Sequence, residues 1–482
     1  MRQWMWSTGL LGLMLGCGGV VDDADEGAVR SAAKADQSWV TRLGGSRSTC
    51  SPRLDYLCFD DARVMALHVR SNGSLVVAGA FAGRVQAGAQ TLESHFAQAN
   101  YPPDWPISDV FVAEVDATGD ISWAVPFGGR DNDWIYGIAE DDIGNIFVTG
   151  TFALPLTLGA TTLTTRGSVD VFVAKLSPQG QPLWATSAGS PTYDYSQGLV
   201  LRGSSVFVAG AVSGSAQFGA VATQGSGLSD GFLAELRQSD GTWLAAKAFG
   251  GPGPDAARAI ALDEHDDVLV GGYIGEDASV LGLPASVQGN RSAFLVGVSP
   301  GLLATELLTA TGTGDSSVEA IAVSSNGHIA VGGWYTGGFG LGSLVGSTGT
   351  DFDGFLARLD DWQVAEGYTL SGPDDCTVHG VAIEPSRRMY AVGSFTGAVT
   401  FNGRTLLSAG ASDALAVGTH DGKTSLLARA GGTLDDGARA VAALSNHSVW
   451  VGGRVRGAAD FEGTPTSGSG FADAFVWRLR GD

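Results

Sequence analysis

A seven-residue cassette recurs seven times along this chain of 482 residues, at a nearly constant spacing. The copies are DVFVAEV (Asp109–Val115), DVFVAKL (Asp170–Leu176), DGFLAEL (Asp230–Leu236), SAFLVGV (Ser292–Val298), DGFLARL (Asp353–Leu359), DALAVGT (Asp413–Thr419) and DAFVWRL (Asp473–Leu479). Successive copies begin 61, 60, 62, 61, 60 and 60 residues apart. A fixed period of this length indicates one supersecondary unit, each copy of which buries its apolar face against the next. The period therefore predicts a repeat architecture.

Each repeat divides into four short strands, which we call a, b, c and d. In the second repeat, strand a is Gly137–Glu140, strand b is Ile146–Phe152, strand c is the cassette and strand d is Leu183–Ser187. Alternating runs, Asn-Gly turns and 72 glycines favour strands over helices. We therefore expect an all-β fold, a seven-bladed β-propeller with four-stranded blades. Strand b also ends in a recurring glycine, at Gly79, Gly150, Gly210, Gly272, Gly333, Gly393 and Gly453.

The two ends of the chain are out of phase with the repeat. The last repeat stops at Asp482, after its strand c. The segment SWVTRLGG (Ser38–Gly45) is similar to strand d of the first repeat, WAVPFGG (Trp123–Gly129). We expect Trp39–Leu43 to pair with Phe475–Leu479 as the outer strand of blade seven. This pairing closes the ring and removes an open sheet edge.

The pattern GIA, GNIFVTG, DVFVAKL and GQPLWA of the second repeat resembles the bacterial SBBP-type β-propeller repeats found in secreted and surface proteins. The resemblance runs from Ser38 to the C-terminus. It implies the propeller fold and an exported protein. It implies no particular activity, because a fold does not fix a function.

The N-terminus has the pattern of a targeting segment. Arg2 precedes a short apolar run, Gly9–Leu15, which is too short to span a bilayer and ends in Leu-Gly-Cys at Cys17. This ending resembles the bacterial lipobox, which implies cleavage before Cys17 and lipidation of that cysteine. An ordinary secretory signal with an incidental cysteine is the alternative.

These features divide the chain into three parts. Residues 1–16 are the expected lipoprotein signal peptide, residues 17–37 an acidic flexible tether, and residues 38–482 the propeller. The resemblance to lipoproteins, with Gly18 after the cysteine, implies the outer membrane of a Gram-negative bacterium. Display on the periplasmic or the surface face is left open.

The charge balance argues against two classes of partner. The net charge is −22 at pH 7. Binding to nucleic acid or to anionic lipid needs a basic face, so we expect no nucleic acid and a membrane contact only through the N-terminal lipid. We expect a monomer. The acidic composition is compatible with divalent cations, with cationic partners or with solubility alone.

Blade one carries the longest connection between strands b and c. Gly79 and Asp109 are 30 residues apart, whereas the equivalent interval is 20 in every other blade. Loops on a rigid scaffold commonly bind partners, so this insertion predicts recognition of a protein or a glycan. The alternative is a loop that has diverged in sequence and packs on its own blade. The candidate partner-binding residues in the insertion are His95, Phe96, Tyr101 and Trp105.

Three cysteines follow Cys17. Cys50 and Cys58 lie in the enlarged connection that enters blade one. In an exported protein we expect these two to form a disulfide. Cys376 is expected to be a free thiol.

Two sets of aspartates recur near strand ends. The set before strand a is the candidate metal site, since carboxylate rings suit Ca²⁺. Alternatively, each aspartate accepts backbone N–H bonds and fixes its own turn. Turn geometry repeats whereas binding sites are asymmetric, so we favour the structural interpretation and expect no cofactor. The first set is Asp61, Asp133, Asp194, Asp255 and Asp436, and the second, at the start of strand c, is Asp109, Asp170, Asp230, Asp353, Asp413 and Asp473.

The sequence contains no evident catalytic constellation. Its seven histidines are scattered, and His68, at the end of strand a near the channel, is the one of most interest, although we favour a structural role for it. Strand a, which lines the channel, is mostly apolar and so ill suited to acid–base chemistry, for example in Ala259–Leu262, Ala320–Val323, Gly380–Ile383 and Ala440–Ala443. We therefore expect a lipid-anchored, non-enzymatic binding scaffold of the cell envelope, with its recognition patch on the blade-one loops. A propeller lyase or hydrolase with a site at the channel mouth is the alternative.

Overall fold

The computed structural model describes residues 39–45, 61–95, 107–444, 446–468 and 472–480. The elements in these residues are forty β-strands, so the expected all-β class is confirmed. No helix in the described ranges is long and apolar enough to cross a membrane.

The strands are numbered in chain order. The N-terminal strand is β1 (Trp39–Gly45). The first repeat contains β2 (Asp61–Val69), β3 (Leu75–Ala82), β4 (Arg84–Ala87), β5 (Gln90–Glu93), β6 (Asp109–Val115) and β7 (Ile121–Phe127). The second contains β8 (Trp134–Glu140), β9 (Ile146–Phe152), β10 (Leu156–Leu158), β11 (Thr161–Leu163), β12 (Asp170–Leu176) and β13 (Pro182–Gly189). The third contains β14 (Tyr195–Arg202), β15 (Ser205–Val212), β16 (Ala216–Phe218), β17 (Val221–Thr223), β18 (Asp230–Arg237) and β19 (Trp243–Phe249).

The remaining repeats follow the same order. The fourth contains β20 (Ala256–Leu262), β21 (Val268–Ile274), β22 (Ser279–Val280), β23 (Leu283–Pro284), β24 (Ser292–Ser299) and β25 (Leu303–Thr309). The fifth contains β26 (Ser316–Val323), β27 (Ile329–Tyr335), β28 (Gly338–Leu341), β29 (Leu344–Ser347), β30 (Asp353–Asp360) and β31 (Gln363–Ser371). The sixth contains β32 (Cys376–Ile383), β33 (Met389–Phe401), β34 (Arg404–His420) and β35 (Lys423–Gly431). The seventh contains β36 (Gly437–Ala443), β37 (Ser448–Val455), β38 (Ala459–Phe461), β39 (Thr464–Thr466) and β40 (Asp473–Arg480).

Within a repeat the strands pair antiparallel in the order a, b, c, d. The first, third and fourth repeats form the sheets β2-β3-β6-β7, β14-β15-β18-β19 and β20-β21-β24-β25. Strands b and c lie in the middle of each sheet, and β9, for example, is buried at every residue. This burial explains why strands b and c are continuous apolar runs rather than alternating ones.

The a strands lie side by side. β2 contacts β8, β8 contacts β14, and the contacts continue through β20, β26 and β32 to β36. β36 in turn contacts β2. Each a strand therefore touches the a strand of the repeat before it and of the repeat after it.

The hydrophobic core is divided among the interfaces between successive repeats. One cluster combines Val112 of the first repeat with Phe152 and Phe172 of the second. Equivalent clusters join each later pair of repeats. Another joins the seventh repeat to the first through Trp450 and Val64. Each repeat thus buries its apolar faces against its neighbours, as the fixed period predicts.

Strand β1 lies between β40 and β4. The expected pairing with the last cassette is present, with a register one residue earlier, so that Leu43 lies opposite Ala474. The Arg42 guanidinium also forms a buried ion pair with Asp473. The segment from the start of the chain is therefore joined to the last repeat by backbone bonds and by charge.

The segment between strands b and c, expected as a long connection, forms a hairpin that binds the preceding repeat. β16 pairs with β13, β33 with β31, β38 with β35, and β4 with β1. In the other repeats an isolated bridge makes the same link, for example between Gly128 and Thr157. This part of the connection thus joins neighbouring repeats.

Candidate ligand site at the bulged strands

Each a strand carries a β-bulge at the same position. In β2 the register against β3 shifts between Val64 and Ala66, and in β8 the register against β9 shifts between Ile135 and Gly137. The other five a strands shift in the same way. A bulge leaves one residue outside the ladder and re-aims its side chain. The seven residues at these positions, which we call the bulge ring, are Met65, Tyr136, Gln197, Arg258, Glu319, His379 and Arg439.

The bulge explains the glycine that recurs in strand b. A Cβ atom on Gly150 would lie 1.9 Å from the carbonyl oxygen of Trp134. At the six equivalent glycines the corresponding distance is between 1.8 and 2.2 Å. Because the bulged backbone approaches this closely, the partner strand needs a residue without a side chain at this point.

Two cavities meet at the bulge ring. The larger has a volume of about 500 Å³ and the smaller about 280 Å³, and all seven ring residues line both. The larger cavity is also bounded by Arg63, Trp134, Asp436 and Arg454. The smaller is lined on its other side by backbone and apolar side chains of the a strands, such as Ile260. The volume of the larger cavity is within the range of small-molecule sites.

Four arginines line the larger cavity, and two of them are held by carboxylates. Arg63 donates a hydrogen bond to Asp61 at 2.7 Å, and its guanidinium lies 4.7 Å from the centre of the Trp134 ring. The Nε of Arg258 lies 3.2 Å from a carboxylate oxygen of Glu319. The positions of these two side chains are therefore fixed from within the protein.

The other two arginines, Arg439 and Arg454, have no hydrogen-bonding carboxylate among the described residues. Burial lowers the pKa of Arg454 to about 10, and the positive charges of Arg63 and Arg439 act in the same direction. Partial desolvation in the cavity also lowers the pKa of Arg439, although this side chain is exposed. The charge of Glu319 opposes the shift, whereas Arg258 and Arg63 add to it. A guanidinium stays charged at pH 7, so the two side chains add two positive charges to the lining of the same cavity.

Tyr136 and His379 supply uncharged polar groups to the ring. Burial raises the pKa of Tyr136, so its hydroxyl stays protonated. Burial lowers the pKa of His379 well below its ordinary value, and the charges of Arg439 and Arg258 act in the same direction. The imidazole is therefore neutral at pH 7, with its Nε2 3.0 Å from the hydroxyl of Thr377.

The interpretation of strand a as apolar missed this ring. The apolar ranges Ala259–Leu262, Ala320–Val323, Gly380–Ile383 and Ala440–Ala443 each begin directly after a ring residue. Regular alternation does not anticipate a bulge, which directs the preceding polar residue towards the two cavities. The recurring glycine of strand b was the available sequence signal.

Aspartates of the first set join backbone segments of two repeats. The Asp255 carboxylate accepts hydrogen bonds from the N–H groups of Gly251 and Gly275, both at 2.7 Å. Asp133, Asp194 and Asp436 make the equivalent contacts. These are the contacts expected if each aspartate accepts backbone N–H bonds and fixes its own turn. No group of three or more His, Cys, Asp or Glu residues in the described part of the chain is arranged to hold a metal ion.

Asp61 stands one position before the other members of that set. The N–H of Ala62, rather than that of Asp61, bonds to the carbonyl of Ala472, which is the bond that Asp133 makes to Ser108. Asp61 instead holds Arg63 at the cavity. Ala62, and not Asp61, therefore occupies the equivalent position in the first repeat.

Aspartates of the second set are also buried, and one of them holds a residue of the expected recognition patch. Asp109 accepts hydrogen bonds from the backbone N–H of His95 and lies 2.8 Å from its Nδ1. The His95 side chain stays 42 % exposed. The rest of that patch, Phe96, Tyr101 and Trp105, lies outside the described residues.

The predicted lipidation at Cys17 and the predicted disulfide between Cys50 and Cys58 also lie outside the described residues. Cys376 is free and buried, and burial raises the pKa of its thiol. His68 lines neither cavity, and its Nε2 lies 3.6 Å from the Glu140 carboxylate.

No protein-family model and no curated protein matches this chain. Among solved structures, the WD40 domain of Neurospora crassa Pan2 is 9% identical, with 91% of this chain and 95% of that chain covered and a TM-score of 0.42. BamB from Moraxella catarrhalis is 11% identical, with coverages of 77% and 88% and a TM-score of 0.36. The Dos1 propeller is 8% identical, with coverages of 94% and 88% and a TM-score of 0.38. These proteins are β-propellers, and the likeness concerns the fold alone.

Proposed function

We propose that the chain is a seven-bladed β-propeller that acts as a non-enzymatic binding module, with a ligand site where the larger cavity opens onto the bulge ring. In this proposal each repeat is one four-stranded blade, and β1 supplies the fourth strand of the last blade and closes the ring. The pairing of β1 with β40 and the contacts of β36 with β2 support this arrangement.

The chemical diversity of the bulge ring carries the functional proposal. Seven positions are equivalent in backbone geometry, yet they hold six different residue types, with arginine alone used twice. Features that support the fold recur in every repeat, as the glycines opposite the ring do. An asymmetric set of mostly polar side chains around a cavity of about 500 Å³ is the arrangement expected of a specific ligand site.

Binding is favoured over catalysis because the ring's one carboxylate is already engaged. Glu319 is in contact with Arg258 and also accepts a hydrogen bond from Trp334 at 3.0 Å. A general base needs a free lone pair directed at the substrate. The alternative, a lyase or hydrolase, rests on neutral His379 and on Tyr136, which line the same cavity. In that case His379→Ala would abolish turnover, whereas a binding module has no turnover to lose.

We further propose that Cys17 carries the lipid anchor, which holds the propeller at the outer membrane through the acidic tether. A second recognition patch for a protein or glycan would lie on the blade-one loops around His95. Replacement of Cys17 by Ser is expected to move the protein from the membrane fraction to the soluble fraction. An unchanged distribution would contradict the anchor.

The channel site is tested by closing it. Gln197 belongs to the bulge ring, so Gln197→Trp places a bulky side chain where the two cavities meet. Gln179 is an exposed turn residue and gives the matched control, Gln179→Trp. We expect thermal-shift screening of acidic, neutral and basic sugars and metabolites to give ligands that Gln197→Trp loses and Gln179→Trp retains. The absence of any such ligand would contradict the proposal.

A further inference from the structure

The larger cavity is positive in a strongly negative protein. Its lining holds Arg63, Arg258, Arg439 and Arg454 against two carboxylates, Glu319 and Asp436, whereas the whole chain has a net charge of −22 at pH 7. With 50 acidic residues and only 28 lysines and arginines in the chain, four arginines around one cavity are not explained by the average composition. The local charge points to a ligand of opposite sign.

No carboxylate near this cavity is hydrogen-bonded to Arg439 or Arg454 in the described residues, although Glu319 acts on Arg439, and Asp61 and Asp436 act on Arg454, through their charges. Asp61 is bonded to Arg63, and Glu319 to Arg258. Asp436 accepts hydrogen bonds from the backbone N–H groups of Gly432 and Arg456, at 2.7 and 2.6 Å. Two guanidiniums thus stay without a bonded acceptor in the described residues. Arg439 is exposed and Arg454 is half-buried, so both guanidiniums are accessible to a bound anion, which can form charge-assisted hydrogen bonds with them.

We infer that this cavity binds a small ligand that carries two oxyanionic charges, held by Arg439 and Arg454. This inference rests on the proposed ligand site. Guanidinium is suited to carboxylate, phosphate and sulfate because its N–H groups can bond two oxygens at once. Neutral His379 adds no charge, and the protonated hydroxyl of Tyr136 adds a hydrogen-bond donor, so neither of the two repels an anion. A cationic ligand would meet four arginines, and a large polymer would not fit within about 500 Å³.

The test compares ligands that differ in charge but little in size. The probes are galactarate with two carboxylates, galactonate with one, and galactitol with none; inorganic phosphate and sulfate separate a phosphoryl or sulfate source from a dicarboxylate. Binding to the purified protein is measured by titration calorimetry. We expect galactarate or phosphate to bind, galactonate to bind more weakly than galactarate, and galactitol not to bind. Arg439→Gln and Arg454→Gln should each weaken anion binding by about tenfold or more in Kd.

The controls separate charge from folding. Arg237 is exposed and pairs with Asp240 away from the channel, so Arg237→Gln removes one positive charge without touching the cavity and should leave affinity unchanged. Arg439→Lys keeps the charge and should retain part of the binding, whereas damage to the fold would affect Lys and Gln variants alike.

Three results would overturn the inference. They are equal affinity for galactitol and galactarate, undiminished anion binding in both Gln variants, and no binding of galactarate, phosphate or sulfate at millimolar concentration. If the protein binds only a neutral ligand, and Gln197→Trp abolishes that binding, the proposed channel site stands but the inference of an oxyanionic ligand is refuted. If no ligand is found whose binding Gln197→Trp abolishes, both the proposed channel site and the oxyanionic ligand are refuted.

Discussion

At the residue scale, the glycine that ends strand b is the partner of the bulge. A Cβ atom on Gly333 would lie 1.9 Å from the carbonyl oxygen of Ser317 and 3.0 Å from the Phe355 ring. We expect Gly333→Ala to lower the free energy of unfolding in urea by about 1–3 kcal/mol, because backbone and ring must both move. Gly349 has nothing within 4 Å of the added Cβ. Gly349→Ala is therefore the control, and equal urea midpoints for the two variants would refute the argument.

A second residue, Asp436, gives the stability a pH dependence. Burial raises the pKa of its carboxyl to about 6, whereas an unfolded aspartate titrates near about 3.9. The folded state therefore binds this proton more tightly, and Asp436 makes folding more favourable as the pH falls from 7 towards 5. Neutral His379 acts in the opposite sense, because its lowered pKa opposes protonation in the folded state.

The contribution of Asp436 is isolated by its amide variant. Asp436→Asn cannot titrate, so the stability advantage of the wild-type protein over the variant should grow between pH 7 and pH 5. Urea unfolding at both pH values measures this difference in the free energy of unfolding. A constant difference would show that the carboxyl has an ordinary pKa in the folded protein.

At the element scale, β1 is an internal strand of its sheet although it comes from the start of the chain. Leu43 is fully buried, in the cluster that includes Val64 and Trp450. We expect Leu43→Ala to lower the free energy of unfolding by about 2–5 kcal/mol, through lost apolar contact and the cavity left behind. Leu407 is 66% exposed, so Leu407→Ala should have little effect. Similar losses from both would mean that β1 does not pack as described.

The elements also show how far sequence reasoning reaches. The cassettes and their spacing predicted the strands and the place of β1, because apolar runs and turn residues are local signals. Register shifts are properties of strand pairs, so the bulges and the polar ring were missed even though Gly150 and its equivalents were identified. The hairpin between strands b and c was missed as well. Residues such as Thr157 and Phe218 find their partners on a neighbouring repeat, and no local pattern specifies that pairing.

At the scale of the whole molecule, an acidic exterior and a basic cavity respond differently to ions. Self-repulsion from a net charge of −22 disfavours the compact state, and salt screens it, with a Debye length of about 10 Å at 0.1 M. We therefore expect the melting temperature to rise when NaCl is added. A melting temperature that does not change with NaCl would contradict this role of the net charge.

Specific binding in the cavity adds to screening and is separable from it. At equal ionic strength, replacing chloride by galactarate should raise the melting temperature further, because a ligand that binds only the folded state stabilises it in proportion to the logarithm of its concentration over Kd. That increment should disappear in Arg454→Gln, while the response of this variant to NaCl stays, since one charge changes the overall field little. If galactarate and chloride act alike on the wild-type protein, the positive charge of the cavity is not used to hold an anion.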